Sequence, residues 1–377
     1  MSLTKATYSM IQGAVINVLD YGAKGDGVTN DTAAIQAAFN AASLGNYVYF
    51  PSGTYLTSST ITFSCSFGGK FGIVADNPDF TPWNGAYIKY SGSGTCFEAS
   101  EQLYGVTIEN LGIELTASGL IGIDFKFGGN LNWVRKITIN ASNPTTPCDY
   151  GIYLRGINPD TNNPTYHLNY NKFEKITVYG NMLTGIKLGD EGNNDALANS
   201  NEINQFVEFL NPADPPSAKA IYLNGYGSTI SQPSLSGNGA SIRFYGQVGN
   251  NAICGGYFDS SIPMAIYVDA LAGQRWVFHA FGCQGLTSAK ITDTVEPSVT
   301  TRYSVVGEYT RLPSVFADNI YPITNGNNIA VSTGFTLAFL TFSPQIAASA
   351  PIKTIYLSSS DGILYFKDAA GVSHALY

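Results

Sequence analysis

The densest gathering of residues suited to acid–base chemistry in this chain lies in one stretch. Asp190, Glu191 and Asp195 occupy the longest acidic insertion, GDEGNNDALANSN. Glu202 and Glu208 follow within one strand length, and Glu174 precedes them. Two carboxyl groups held in one cleft can divide the work of breaking a glycosidic bond. One stays protonated as the acid, and the other attacks or activates water. On that chemistry Asp190, Glu191 and Glu208 are the first candidates for acid and base, with Glu174 and Asp195 next. In QFVEFLN, alternation turns Val207 and Phe209 inward and leaves Glu208 outside, unless a one-residue bulge reverses the phase. The same carboxylates also read as solvated loop and strand charges. A lyase would need something different, a base and a cation beside a uronate carboxyl.

Other reactive types carry less. Asp20, Asp26 and Asp31 read as turn and helix-cap residues. His167 stands in a long loop where a base could act; His279 reads as a strand residue, and His374 lies near the tail. Cys65, Cys96, Cys148, Cys254 and Cys283 are dispersed, without CxxC or a histidine at ligand spacing, and read as free, mostly buried thiols. No metal site, phosphate-binding glycine loop or cofactor is expected.

The elements that must position these groups repeat along the chain. The unit is a small residue, Ile, any residue, then a large apolar residue. It occurs at Gly122-Ile-Asp-Phe, Gly151-Ile-Tyr-Leu, Gly185-Ile-Lys-Leu, Ala220-Ile-Tyr-Leu, Ser241-Ile-Arg-Phe and Ala265-Ile-Tyr-Val. Second strands lie between, at 134–139, 173–178, 203–209, 230–235, 253–258 and 276–281, and length varies only in Asn/Pro/Gly-rich loops. Strands this short bury an apolar face only by stacking on copies of themselves, which is the logic of a parallel β-helix. Stacked in register, Asp124, Tyr153, Lys187, Tyr222, Arg243 and Tyr267 form one outward file. Lys126, Arg155, Gly189, Asn224, Tyr245 and Asp269 form its neighbour. Tyr faces suit sugar C–H surfaces, and Lys and Arg suit carboxylates or hydroxyls. Tyr153, Arg155, Lys187, Tyr222, Arg243, Tyr245 and Tyr267 are therefore the candidate glycan-binding residues. Packing against a neighbouring subunit is an equal reading of the same tyrosines.

Composition agrees with an elongated β structure. Charged residues make up only 12%, so the polar surface must come from Asn, Ser, Thr and Tyr. A net charge of −8 without a basic tract leaves no means of neutralising phosphates, so nucleic acid is not an expected partner. No apolar run is long enough to span a bilayer, and MSLTKATYSMIQGAVI lacks the basic start and apolar core of a signal peptide. One amphipathic helix is expected after Asn30 or Asp31, with Ile35, Phe39 and Ala42 on its apolar stripe. It would cover the exposed end of the solenoid.

The opening stretch carries a resemblance. Asn17-Val-Leu-Asp-Tyr-Gly-Ala23, Gly25-Asp-Gly27, Asn30-Asp-Thr-Ala-Ala-Ile35 and Phe50-Pro-Ser-Gly-Thr-Tyr55 are similar to the N-terminal signature of the pectate-lyase-like superfamily, in the form common in bacteriophage tailspikes and tail depolymerases. The resemblance covers about sixty residues, with the rung repeat supporting the rest. It implies an all-β, right-handed, single-stranded parallel β-helix, with a leader, a first strand (Ile16-Asn17-Val18-Leu19) and a capping helix over 1–46, the β-helix over 47–310 and a β-rich assembly segment over 311–377. It also implies a homotrimer in a virion tail, made in the host cytoplasm and acting outside the cell. Its partners would be other phage tail proteins and a bacterial surface polysaccharide, capsule or O-antigen, which it binds and cleaves. Glycoside hydrolysis is favoured over lyase chemistry. The alternatives are a non-catalytic glycan-binding or structural tail-fibre protein and, third, a secreted pectin-type enzyme. The Asn-Thr-Asp, Asp-Asp, Gly-His-Gly and Arg-Ile-Lys signatures of calcium-type pectate lyases and plant-type polygalacturonases are absent, so the resemblance speaks to fold more than to reaction.

Overall fold

The structure is a computed structural model. It describes residues 15–42, 46–64, 71–76, 85–156, 168–189, 197–210, 219–236, 241–259, 262, 264–286, 290–297 and 302–306, and near the C-terminus 344–345, 354–358, 364–368, 370 and 372–375. The chain divides into two compact units, 1–312 and 313–377.

The first unit is a parallel β-helix. One wall is a nine-stranded parallel sheet running from Ile61–Phe63 through Thr95–Ala99, Ile121–Phe125, Cys148–Leu154, Met182–Leu188, Lys219–Leu223, Ile242–Gly246 and Ile266–Ala270 to Ile291–Asp293. Like stacks on like: Ile123, Ile152, Ile186, Ile221, Ile242 and Ile266 are partners in successive rungs, and all are fully buried. The small residue before each Ile has a steric cause in three rungs. A Cβ on Gly122, Gly151 or Gly185 would stand 2.6, 2.6 or 2.7 Å from a carbonyl oxygen of the next rung.

The remaining walls belong to an eighteen-stranded sheet to which most rungs contribute two strands. Corners separate them, built from residues in the left-handed region. One column comprises Gly105, Leu131, Tyr170, Ser200, Gly227 and Asn250, and a second comprises Asn110, Lys136, Lys175, Gln205, Gln232 and Gly255. The two columns keep a spacing of five residues, so each rung carries a short segment of fixed length between them. A non-glycine residue there costs about 1 kcal/mol or more, and the surrounding structure must hold it in place.

Much of that hold comes from a buried asparagine ladder. The backbone N–H of Val106 donates to Oδ1 of Asn132 (2.9 Å), that of Asn132 to Oδ1 of Asn171 (3.1 Å), and that of Asn171 to Oδ1 of Asn201 (2.9 Å). Ser228 and Asn251 continue it: Asn201 N–H donates to Ser228 Oγ, and Ser228 N–H to Asn251 Oδ1. The amides also donate outward from the ladder, Asn171 to the Gly129 carbonyl (2.9 Å) and Asn201 to that of Leu168 (2.7 Å). Every first corner is thereby tied to the rung beside it.

The solenoid begins before the helix. Ile16–Asn17 pairs with Tyr47–Phe50, and Asp26–Asn30 with Gly53–Thr57. Helix α1 (Thr32–Ala41) buries Ile35, Ala38 and Phe39, and the Phe39 ring lies 6.0–6.2 Å from those of Phe50, Phe63, Phe71 and Phe97. Asn30 Oδ1 accepts from Thr32 N–H, whereas the Asp31 carboxylate turns away to accept from Lys24 and Gly25 N–H. Asp26 closes its own turn, and the N–H groups of Thr29 and Val28 hold its carboxyl down at about 2. In the second unit Thr354–Ser358, Leu364–Lys367 and Ser373–Ala375 form an antiparallel meander.

Candidate functional site

The outer face of the nine-stranded sheet carries the densest array of charge and aromatic rings among the described residues. Glu98, Asp124, Tyr153, Lys187, Tyr222, Arg243 and Tyr267 are in-register partners in successive rungs. They oppose the inward Ile column because side chains alternate along a strand. A second outward file runs through Tyr150, Thr184 and Lys219. Sequence analysis missed it, although the residue before the small position of each repeat marks it: Tyr150-Gly, Thr184-Gly, Lys219-Ala. On the other side of the main file Tyr245 pairs with Asp269.

Neighbours in a file lie about 4.8 Å apart, so their side chains reach one another. Lys187 Nζ lies 4.9, 4.8 and 5.1 Å from the ring centroids of Tyr150, Tyr153 and Tyr222, an aromatic cage around an ammonium. The Arg155 guanidinium lies over Tyr153, that of Arg243 between Tyr222 and Tyr245, and Lys219 over Tyr267 at 4.2 Å. Burial pushes the Lys219 ammonium below its ordinary pKa, with the Arg243 charge acting the same way.

The acids of this face are engaged. Arg155 forks onto Asp124, with Nε at 3.1 Å from Oδ1 and Nη2 on Oδ2. Arg243 Nε meets Asp269 at 2.5 Å, and Lys126 meets Glu98 at 3.2 Å. Asp124 has no exposed surface, and burial drives its carboxyl above the usual range. The Arg155 hydrogen bond and charge pull it down, and Glu98 in the next rung adds to the rise. Among the described side chains of these files, five cations (Lys126, Arg155, Lys187, Lys219, Arg243) thus stand against three acids (Glu98, Asp124, Asp269), on a chain whose net charge is −8.

The structure brings all seven candidate glycan-binding residues to this face but exposes them unequally. Tyr153, Lys187 and Tyr222 are at most 5% exposed, lying beneath and between their neighbours' rings, whereas Arg155, Arg243, Tyr245 and Tyr267 remain partly open. The carboxylates divide further. Asp190, Glu191 and Asp195 lie outside the described residues, as does His167. Glu174 sits on the other sheet, facing out.

Glu208 corrects an expectation. It is 1% exposed and pairs with Val178 and Leu235, both fully buried, so its carboxyl points into the solenoid. Gln205, at φ 54°, restarts the alternation, placing Phe206 inward, Val207 outward and Glu208 inward. A glycan outside the helix does not reach that carboxyl. Among the described residues no group of three His, Cys, Asp or Glu is placed to hold a metal ion, and no helix is long and apolar enough to cross a membrane.

Comparison with known proteins adds a family. A family model described as rhamnogalacturonase A/epimerase, pectate lyase-like, matches residues 15–205, just over half of the chain. Non-secreted LysM effector LysM15 of Penicillium expansum is 54% identical over 56 residues, 12% of this chain and 4% of that protein. Alginate lyase 7 of Azotobacter vinelandii is 61% identical over 44 residues, 11% of this chain and 5% of that protein. The chain therefore covers only a small part of these relatives' length. Among solved structures, ORF18 of Geobacillus virus E2 is 20% identical with a TM-score of 0.48, covering 96% of this chain and 86% of that one.

Proposed function

The chain belongs to the rhamnogalacturonase A/epimerase, pectate lyase-like family, and from that premise we propose that it is a tailspike-like protein that binds a bacterial surface polysaccharide and cleaves its glycosidic bonds. The observation that carries the reading is the outward file on the nine-stranded sheet, where Tyr rings alternate with Lys and Arg at the strand spacing. Rings at that repeat offer stacking surfaces along a chain-like ligand, and the surplus of cations favours a glycan bearing carboxylates. The name of its relative alginate lyase 7 points to the same ligand class. Arg155, Arg243, Tyr245 and Tyr267 make the contacts, with Tyr153, Lys187 and Tyr222 holding them in place from beneath.

For cleavage, the acid and base are assigned to Asp190, Glu191 and Asp195. Asp190 and Glu191 directly follow Gly189, whose N–H is bonded to the Leu154 carbonyl at the edge of this face, and Asp195 belongs to the same insertion. Hydrolysis is favoured over elimination. The protein acts outside the cell as a homotrimeric part of a virion tail. Trp276 and Phe281, both exposed and joined through the His279 ring, support self-association, and light scattering that found a monomer at micromolar concentration would remove the trimer.

Binding without cleavage is the second reading, and a specific observation favours it: Asp124 and Asp269 are each tied to an arginine, which leaves neither free to move a proton. Incubation with a panel of capsules and O-antigens separates the two. Shortened, saturated oligosaccharides support hydrolysis and unsaturated ends indicate a lyase; retention without products gives the binder, and neither retention nor products sinks the proposal.

A further inference from the structure

A separate feature lies on the eighteen-stranded sheet, between the two columns of left-handed corners. Trp133, Lys172 and Glu202 are in-register partners in one outward file, and Arg135, Glu174 and Asn204 are partners in the next. Trp133, Lys172, Glu174, Glu202 and Asn204 line a cleft of about 420 Å³ with Phe173 beneath, a volume in the range of small-ligand sites. We infer that this cleft is a second carbohydrate-binding site, taking an uncharged pyranose ring stacked on the open side of Trp133.

The indole is presented for stacking. It is 37% exposed despite its size, and the Arg135 guanidinium covers one side at 4.2 Å from the ring centroid. Arg135 is itself anchored by Glu109 at 2.5 Å, which fixes the plane of the platform. The corners at Leu131, Tyr170 and Ser200 on one side, and Lys136, Lys175 and Gln205 on the other, set the length of each segment. The asparagine ladder locks those rungs from inside. A platform ordered before binding spends little of its interaction energy on immobilisation.

The polar groups around the ring match hydroxyls rather than a charge. Glu174 and Asn204 make no side-chain hydrogen bond or ion pair with another described residue. One offers acceptors and the other both a donor and an acceptor, the pattern that vicinal hydroxyls complement. Lys172 and Glu202 pair with each other at 3.0 Å. The cleft lining thus sets Lys172 against Glu174 and Glu202, while Arg135 is already neutralised by Glu109, so it has no surplus of cations to draw an anion. The file on the nine-stranded sheet does have such a surplus, so the two faces read different sugars.

The chain has three tryptophans, so a Trp83→Phe/Trp276→Phe variant keeps Trp133 as its only indole. Its emission is followed during titration with cello-, malto- and galacto-oligosaccharides, and with oligoalginate as the charged comparison. The expected result is a saturable shift with at least one neutral series and none with oligoalginate. In affinity electrophoresis on the corresponding neutral polysaccharide, Trp133→Ala should weaken retention at least about tenfold, the scale of one lost aromatic contact. Asn204→Ala, which keeps the platform and covers the case of a misfolded Trp133 variant, should weaken it less but measurably. No shift with any neutral sugar, a shift with oligoalginate alone, or unchanged retention in both variants overturns the inference. Arg155→Met and Arg243→Met should leave the Trp133 response intact, so the proposed polysaccharide site can fail while this one stands, and the reverse.

Discussion

Arg155→Met isolates one buried interaction whose loss has a calculable sign. Asp124 has no exposed surface, and its hydrogen-bonding partner is Arg155. Removing one member of a buried pair leaves an uncompensated charge and costs about 3–5 kcal/mol. The cost must depend on pH. Burial already raises the folded-state pKa of Asp124 above its unfolded value, while Arg155 pulls it down. A carboxyl with a raised folded pKa favours the native state when protonated, below the unfolded value, and that preference is lost as pH rises toward the folded pKa. Without Arg155 the folded pKa rises further, so the window of loss extends toward neutrality at up to about 1.4 kcal/mol per pH unit. Guanidinium unfolding of wild type and variant should therefore show a small difference near pH 4 that widens to a plateau by about pH 8. Adding Asp124→Asn should restore most of the stability at neutral pH, since it removes the orphaned charge and keeps the shape. A loss equal at all pH values, or one that Asp124→Asn fails to rescue, would refute the argument. If the rescued double variant still fails to retain polysaccharide, Arg155 acts on the ligand and not only on the fold.

Lys187→Met keeps the stem and removes the caged ammonium that holds the Tyr150, Tyr153 and Tyr222 rings beneath the contact residues; it should lower retention of an anionic polysaccharide at least about tenfold while leaving the circular dichroism spectrum unchanged, and undiminished retention would mean that the cage does not support the contact residues. Asn171→Ala orphans the Asn132 N–H and the Gly129 carbonyl, each costing about 1–3 kcal/mol, whereas Asn169→Ala loses one bond, to Asn199 N–H, worth about 1 kcal/mol. Thermal melts showing equal losses would mean that the inner ladder is not the stronger constraint. Burial pushes the thiols of Cys148 and Cys283 up to about 11 and that of Cys96 higher still. Near pH 8 iodoacetamide should leave all three unmodified until denaturant is added, and labelling of native Cys96 seen by mass spectrometry would contradict its burial.

What the sequence disclosed and what it concealed follow from where the alternation of side chains is unbroken. Within the Gly151-Ile-Tyr-Leu type of repeat nothing interrupts a strand, so the partners of Tyr153, Lys187 and Tyr222 could be read directly. Their burial could not, because it depends on how Tyr150 and its neighbours lie across the file. The first rung was legible in part: Ile16–Asn17, expected as a first strand, stacks as one, whereas Asp26–Asn30 lies in a Gly/Asp-rich stretch that reads as a turn and yet pairs with Gly53–Thr57. Asp190, Glu191 and Asp195 lie in an insertion where no alternation exists to extend. Glu208 failed because a left-handed corner restarts the phase, and the corner residues Asn110, Lys136, Lys175, Gln205 and Gln232 share no chemistry that announces them. Their spacing does. The first column is followed five residues later by the second, as in Leu131 and Lys136, Tyr170 and Lys175, or Ser200 and Gln205. Between them the buried Asn comes first, so the next residue must face out, the third in and the fourth out. That rule places Trp133 and Arg135, Lys172 and Glu174, and Glu202 and Asn204 outside, with Val134, Phe173 and Ile203 between them in the core. The asparagines in LNWV, YNKF and SNEI were the visible mark of that phase. The surface they set in order is the Trp133 cleft, so the ladder that locks the rungs also dictates which side chains a ligand on that face can meet.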